Sequence, residues 1–113
     1  MKAKVLKIKA WDKTERLMVR VSALECKKGV LMKKGYEIFL FTGTHDQNDN
    51  EIYDGDILHY SNSRYAVVWN EAKNRWEKQN VKTKGDISVL TPALAKKTMR
   101  ICHSYEVNGG PTE

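Results

Sequence analysis

The chain has 113 residues, which is enough for one domain with a single core but too short for a catalytic domain joined to a regulatory one. Hydrophobic residues make up 41% and charged residues 30%, a balance that excludes an intrinsically disordered chain. The net charge of +6 favours contact with polyanions without specifying one. No apolar run has the length of a membrane span or the pattern of a signal peptide, so we expect a cytoplasmic protein with no membrane partner.

The first predicted element is a strand over residues 6–11, where apolar and polar side chains alternate. Residues 16–24 are rich in β-branched side chains and predict a second strand, which pairs with the first as a hairpin. A turn is expected at residues 27–29. The apolar run at residues 36–41 contains aromatic residues and no helix signal, so it predicts a buried strand.

The second half of the chain predicts further short strands and one helix. The strands are expected at residues 54–60, 63–69, 75–81, 86–90 and 98–105. The helix is expected at residues 91–97, because Thr91 can cap it and Pro92 suits its first position. We predict a single, mainly β domain over residues 1–105, either a small SH3-like barrel or a β-sandwich, with an N-terminal hairpin and one short helix. Residues 106–113 are expected to form a flexible tail.

The charges are unevenly distributed. The first 40 residues contain eleven Lys or Arg and four acids, whereas residues 42–57 contain five acids and no Lys or Arg. A basic N-terminal face is therefore a candidate nucleic-acid contact, and its lysines are Lys7, Lys9, Lys27, Lys28, Lys33 and Lys34. A rim of solvated lysines that keeps the protein soluble explains the same residues, and it is the interpretation we favour.

An Asx-rich stretch raises the question of a metal site. Asp46, Asn48 and Asn50 have the spacing of the first oxygen ligands in an EF-hand calcium loop. Glu51 and Ile57 stand where that loop needs a glycine and a bidentate glutamate. We therefore predict a turn whose side chains satisfy their own backbone, and no metal.

The residue types used in catalysis are present but scattered. Asp54 and Asp56 could form a carboxylate pair, but with Gly55 between them a tight turn explains both more simply. The three histidines and Cys102 show no spacing typical of a metal or nucleophile site. We therefore predict no enzyme activity, no catalytic residue and no cofactor.

Four segments occur in a fixed order: AWDK at Ala10–Lys13 followed by Met18, FTG at Phe41–Gly43 followed by Asp46, EIYDGDIL at Glu51–Leu58, and YAVVW at Tyr65–Trp69. Over about residues 6–105 the chain resembles the YopX family of bacteriophage and prophage proteins. The residues that carry the motif are Trp11, Asp12, Thr42, Gly43, Asp46, Ile52, Tyr53, Gly55 and Asp56. We interpret them as structural, with a binding surface as the alternative. Asp49 departs from the family pattern, which often has a glycine at that turn position.

The resemblance implies a largely β protein of the bacterial cytoplasm with no established activity. We expect a non-catalytic module that binds an unidentified host or phage protein, since exposed strand edges and aromatic side chains suit such contacts. The alternative is a nucleic-acid-binding protein that uses the basic N-terminal face, with Trp11, Trp69 or Trp76 as stacking surfaces. Open strand edges also predict a homo-oligomer.

Overall fold

The structure is a computed structural model that describes residues 7–21, 25–27 and 30–108. Within these ranges it contains eleven strands and two short helices. The strands are β1 (Ile8–Asp12), β2 (Leu17–Arg20), β3 (Glu25–Lys27), β4 (Val30–Met32), β5 (Tyr36–His45), β6 (Glu51–Tyr53), β7 (Asp56–Tyr60), β8 (Ser63–Asn70), β9 (Arg75–Asn80), β10 (Ile87–Val89) and β11 (Met99–His103). The helices are α1 (Pro92–Ala95) and α2 (Ser104–Asn108).

The strands form two antiparallel sheets and a separate hairpin. The four-stranded sheet has the order β2-β1-β5-β6, the five-stranded sheet has the order β10-β9-β8-β7-β11, and β3 pairs with β4. The predicted mainly β class and the N-terminal hairpin of β1 and β2 are confirmed. Neither helix in the described part of the chain is long and apolar enough to cross a membrane.

The β1 strand shows why its alternating sequence folds as predicted. Ile8 and Ala10 are buried on one face, and Lys9 lies on the other. Trp11, on the same face as Lys9, is also buried, because the ring of Tyr105 packs edge-on against it at 5.8 Å. Both faces of this strand are therefore covered.

The β5 strand continues four residues beyond its predicted end at Phe41. Gly43 has a φ of +84°, and the register with β6 shifts between Phe41 and His45. This bulge bends the strand while pairing continues. The short strand β6 and the β3–β4 hairpin were not predicted, and two residues of the turn expected at 27–29 lie outside the described residues.

The core lies where the five-stranded sheet meets β6 and α1. The predicted helix is confirmed in part, since α1 spans Pro92–Ala95 and the Thr91 hydroxyl accepts the N–H of Leu94 at 3.1 Å. The core cluster consists of Ile52, Leu58, Val67, Leu90 and Ala95, with Trp76 packed against it. One buried cluster therefore ties the two sheets together.

The C-terminal end differs from the prediction of a strand through Tyr105 followed by a flexible tail. β11 ends at His103, and α2 follows it directly. The Nδ1 atom of His103 accepts the N–H of Tyr105 at 3.0 Å, and Glu106 Oε1 accepts the N–H of His103 at 2.9 Å. This reciprocal arrangement is a capping box, with His103 where Ser or Thr is usual. Residues 109–113 lie outside the described part of the chain.

Candidate functional site

The turn between β5 and β6 is organised by Asp46, which is fully buried. Its Oδ1 atom accepts the backbone N–H groups of Asn48 and Asn50 at 2.9 and 2.8 Å. Its Oδ2 atom accepts the backbone N–H of Arg100, in β11, at 2.7 Å. Burial raises the pKa of Asp46, but the N–H donors outweigh it and hold the pKa below its usual value.

The same turn covers the free edge of the five-stranded sheet. Arg100 belongs to the edge strand β11, and the N–H of Gln47 donates to the carbonyl of Thr98, just before that strand, at 2.9 Å. These bonds occupy backbone groups that an edge strand would otherwise leave open. The oxygen-rich spacing that resembled a calcium loop therefore serves turn geometry. No group of three or more potential metal ligands occurs within the described ranges.

The turn between β6 and β7 packs tightly against His103. Gly55 has a φ of +84°, and a Cβ at this position would lie 2.5 Å from Nε2 of His103. That nitrogen lies 2.8 Å from the carbonyl oxygen of Asp54. Because Nδ1 accepts the N–H of Tyr105, Nε2 carries the proton and donates to this carbonyl. Burial lowers the pKa of His103, which favours this neutral form.

Asp56, the next family-motif acid, is fully buried and bonds to β11. Its Oδ2 atom accepts the N–H of Tyr53 at 2.8 Å and the Nε–H of Arg100 at 3.0 Å. Burial raises the pKa of Asp56, whereas these two donors act in the opposite direction. The ion pair joins the strands β7 and β11 in the interior of the protein.

Asp54 is the acid with the most perturbed environment in this segment. Burial, reinforced by the carboxylates of Asp56 and Glu37, raises its pKa to about 6. A carboxylate that titrates near neutral pH can act as a general acid or base. Asp56, the other member of the possible pair, is ion-paired with Arg100, and its charge contributes to the raised pKa of Asp54.

The remaining family-motif residues contact the backbone or the core of the fold. Ile52 and Tyr53 are fully buried, and the Thr42 hydroxyl donates to the carbonyl of Ile52 at 2.8 Å. Asp12 Oδ1 accepts the N–H groups of Thr14 and Glu15 at the turn between β1 and β2. Five of the nine motif residues are buried, whereas Asp12, Thr42 and Gly55 are half-buried and Gly43 is exposed. An aromatic cluster of Trp11, Phe39, His103 and Tyr105 lies beside the motif.

The candidate lysines of the N-terminal face lie in different environments. Lys7 pairs with Glu51, and Lys9 Nζ lies 4.5 Å above the ring centroid of Tyr53, where burial lowers its pKa. Lys33 lies over the ring of Tyr36, and Lys34 is exposed. The side chain of Lys27 and the whole of Lys28 lie outside the described part of the structure. Among the candidate stacking residues, Trp11 is buried, whereas Trp69 is 42% exposed and packs against Trp76.

The five-stranded sheet exposes a largely apolar face that sequence reasoning missed. Cross-strand partners share a face, and the register groups seven residues opposite the core side chains. We call them the outer apolar face: Ile57, Ala66, Val68, Ile87, Val89, Met99 and Cys102. The polar residues His59, Arg64, Glu77 and Gln79 interrupt it. Consecutive apolar residues, such as Val67 and Val68, were the available signal, because one of the two must face outward.

A cleft of about 660 Å³ opens at one end of the same sheet. It lies between the turn that joins β7 to β8 and the loop that follows β9. We call it the turn cleft, and it is lined by His59, Asn62, Ser63, Arg64, Asn80, Val81 and Lys82. Sequence patterns predict no site at these residues, because they come from two separate parts of the chain, residues 59–64 and 80–82.

The fold and these surfaces define a small, mainly β protein in which an Asp-Gly turn leads the chain from one antiparallel sheet to the other. The family model described as YopX protein matches residues 25–107, and the chain therefore belongs to the YopX family. This confirms the resemblance, whose first segment, Ala10–Lys13, precedes the matched range. No curated protein matches the chain significantly.

Proposed function

We propose that this YopX-family chain is a non-catalytic module that binds a host or phage protein through the outer apolar face. The observation that carries the proposal is the exposure of apolar side chains there: Ile87 and Val89, on the edge strand β10, are 47 and 37% exposed, and Met99, on the opposite edge strand β11, is 38% exposed. The solvated face of an antiparallel sheet is usually polar, and an exposed apolar patch with polar residues around it is typical of an interaction site. A phage or prophage origin and the bacterial cytoplasm, which the family resemblance implies, are part of this proposal.

The edge strand β10 supports the same proposal. The residues just before and just after β10 both bond to β9, through the carbonyl of Asp86 and the N–H of Leu90. By alternation, the N–H and C=O groups of Ile87 and Val89 point away from β9. A partner could therefore add a strand to this edge and cover the adjoining apolar side chains in one contact.

Nucleic-acid binding by the N-terminal lysines is supported less well. Lys7 is paired with Glu51, and Lys9 is held over Tyr53. Both contacts would have to be exchanged for phosphate contacts, which reduces any gain in affinity. Self-association through the outer apolar face is the closer competitor, and the experiment must separate it from binding to another protein.

Site-specific photo-crosslinking tests the proposal. Benzoylphenylalanine replaces Val89 on the outer apolar face or, as a control, Leu40, which is 43% exposed on the four-stranded sheet. In host cells that carry the intact prophage, position 89 should give a discrete adduct with a different protein, and position 40 should not. Adding Ile87→Lys to the position-89 probe should abolish the adduct.

Two results would contradict binding to another protein at this face. One is an adduct with the mass of two copies of this chain, which would assign the face to a homo-oligomer. The other is the same adducts, or none, from positions 89 and 40. Light scattering of the purified protein measures the oligomeric state directly.

A further inference from the structure

We infer that the turn cleft binds a phosphate group carried by a nucleotide or by a nucleic-acid strand. This site is separate from the proposed protein-binding contact at β10, and neither proposal requires the other. The inference depends on the charge of the lining residues, on the absence of ion pairs at its two cations among the described residues, and on the fixed shape of both walls.

The lining of the turn cleft suits an anion. Its two charged residues are the cations Arg64 and Lys82, both exposed, and the remaining members include the donors Asn62 and Ser63. No carboxylate is among the lining residues within the described chain. A guanidinium and an ammonium group on opposite walls can share one phosphate, with the guanidinium binding two oxygens at once.

The two cations also lack partners of their own. Among the residues that the structure describes, neither Arg64 nor Lys82 has a carboxylate within 4.0 Å. In contrast, Arg75 and Arg100 are each paired with buried acids. A phosphate in the turn cleft would therefore gain charge-assisted hydrogen bonds without breaking existing ion pairs.

The wall that carries Lys82 is preformed. The Asn80 side-chain oxygen accepts the N–H groups of Lys82 and Thr83, each at 2.9 Å. The backbone N–H of Asn80 donates a hydrogen bond to the carbonyl of Asp86 at 2.9 Å and closes the loop. The side-chain amide of Gln79 donates to the carbonyl of Lys84 within the loop. A loop fixed in this way loses little conformational freedom on binding.

The opposite wall is a tight turn at Ser61 and Asn62, which have φ values of 49° and 61°. Two successive left-handed residues are typical of the two-residue turns that fit hairpin twist. The following strand is anchored to the other wall, because the N–H of Val81 donates to the carbonyl of Arg64 at 3.0 Å. The two walls are therefore held at a fixed separation.

The surroundings of the turn cleft add positive charge. Lys84, which is exposed, lies on the same loop as Lys82. The nearby acid Asp86 accepts hydrogen bonds from the Tyr65 hydroxyl and the Asn80 amide. Among the described residues, Asp86 is exposed and makes no ion pair with Arg64 or Lys82.

Fluorescence anisotropy tests the inference with a labelled single-stranded oligothymidylate and its oligouridylate equivalent, each of about 12 nucleotides. The double variant Arg64→Ala, Lys82→Ala is compared with Lys13→Ala, Lys97→Ala, which removes the same charge from exposed positions away from the cleft. We expect the cleft variant to bind about a hundredfold more weakly. Its slope of log affinity against log salt should become shallower by about 1.4. The control should lose less than about threefold.

Competition identifies the source of the phosphate. Inorganic phosphate, a mononucleotide and unlabelled oligonucleotide are each titrated against the labelled probe. Displacement by mononucleotide at concentrations similar to those of oligonucleotide assigns a nucleotide ligand, and displacement by oligonucleotide alone assigns a strand. Both outcomes support phosphate binding in the turn cleft, provided that the cleft variant has lost the binding.

Either of two results would overturn the inference. One is equal weakening in the cleft variant and the control, which would mean that binding follows net charge alone. The other is no binding of any of the probes by the wild-type protein at low salt. Because Arg64 and Lys82 are exposed, both variants should fold, and matching circular dichroism spectra verify this.

Discussion

Gly55 and His103 approach each other so closely that a Cβ atom at residue 55 would lie 2.5 Å from Nε2 of the imidazole ring. The ring cannot move aside easily. Nε2 is bonded to the carbonyl of Asp54, and Nδ1 accepts the N–H of Tyr105. The glycine of the Asp-Gly turn is therefore required both by its φ of +84° and by this contact.

We expect Gly55→Ala to lower the free energy of unfolding by about 3 kcal/mol, from left-handed strain and overpacking together. Gly43→Ala is the matched control, because Gly43 has the same φ of +84° and a Cβ added there would meet no atom within 4 Å. It should lose about 1 kcal/mol from backbone strain alone. Urea unfolding measures both variants, and equal losses would refute a special role for the contact with His103.

Because the N–H of Arg100 donates a hydrogen bond to Asp46 Oδ2, replacing Asp46 should lower the stability of the fold. Asp46→Asn keeps only one side-chain oxygen. If that oxygen accepts the N–H groups of the turn, the NH₂ group faces the N–H of Arg100. If it accepts the N–H of Arg100 instead, the turn loses its acceptor. We expect a loss of about 2 kcal/mol in unfolding free energy. In Asp12→Asn, the control, one oxygen accepts both N–H groups and is retained, so the loss should be much smaller. Comparable losses in the two variants would count against the role of Asp46 at the sheet edge.

Several strands could be predicted because their signals are local. The predicted strand at residues 63–69 is observed as β8, Ser63–Asn70, and the predicted strand at residues 75–81 is observed as β9, Arg75–Asn80. Short polar connectors and β-rich composition were sufficient there. The end of β5 was missed because a glycine such as Gly43 commonly ends a strand, whereas its positive φ here produces a bulge.

The second helix and both proposed surfaces were less accessible to sequence reasoning. α2 begins at a cap made by His103 and Glu106, and histidine is not a usual cap residue. The outer apolar face depends on the register of five strands, and the turn cleft joins residues from β7, β8 and the loop after β9. Long-range pairing decides such surfaces, and single-sequence patterns do not encode it directly.

Asp49 has a φ of +64° at a turn position where the family pattern often has glycine. We expect Asp49→Gly to raise the melting temperature, because glycine adopts this conformation without strain. The ion pair of Asp49 with Lys96 joins exposed side chains, so its loss should matter little. Asp49→Ala should be less stable than Asp49→Gly by about 1 kcal/mol. Glu71→Gly, at an exposed position without a positive φ, should lower the melting temperature, and a rise there would undermine the explanation.

The raised pKa of Asp54 predicts a pH-dependent stability. Folding raises this pKa from its ordinary value of 3.8 to about 6, so the folded state favours the protonated form. The resulting stability is fully present below about pH 4 and is lost as pH rises through about 6. We expect Asp54→Asn to match the wild type near pH 4 and to exceed its unfolding free energy by about 1–3 kcal/mol near pH 7.5.

Unfolding by urea at a series of pH values measures this difference, with Glu71→Gln as a control that removes a charge from an exposed turn. The control should differ from the wild type by a small, pH-independent amount. At each pH, the unfolding free energy of the wild type is subtracted from that of Asp54→Asn. This difference cancels the opposite trend of acids such as Asp46, whose lowered pKa stabilises the fold as pH rises. A difference that stays flat between about pH 4 and 7.5 would show that Asp54 is solvated and that Asp56 and Glu37 do not repel it.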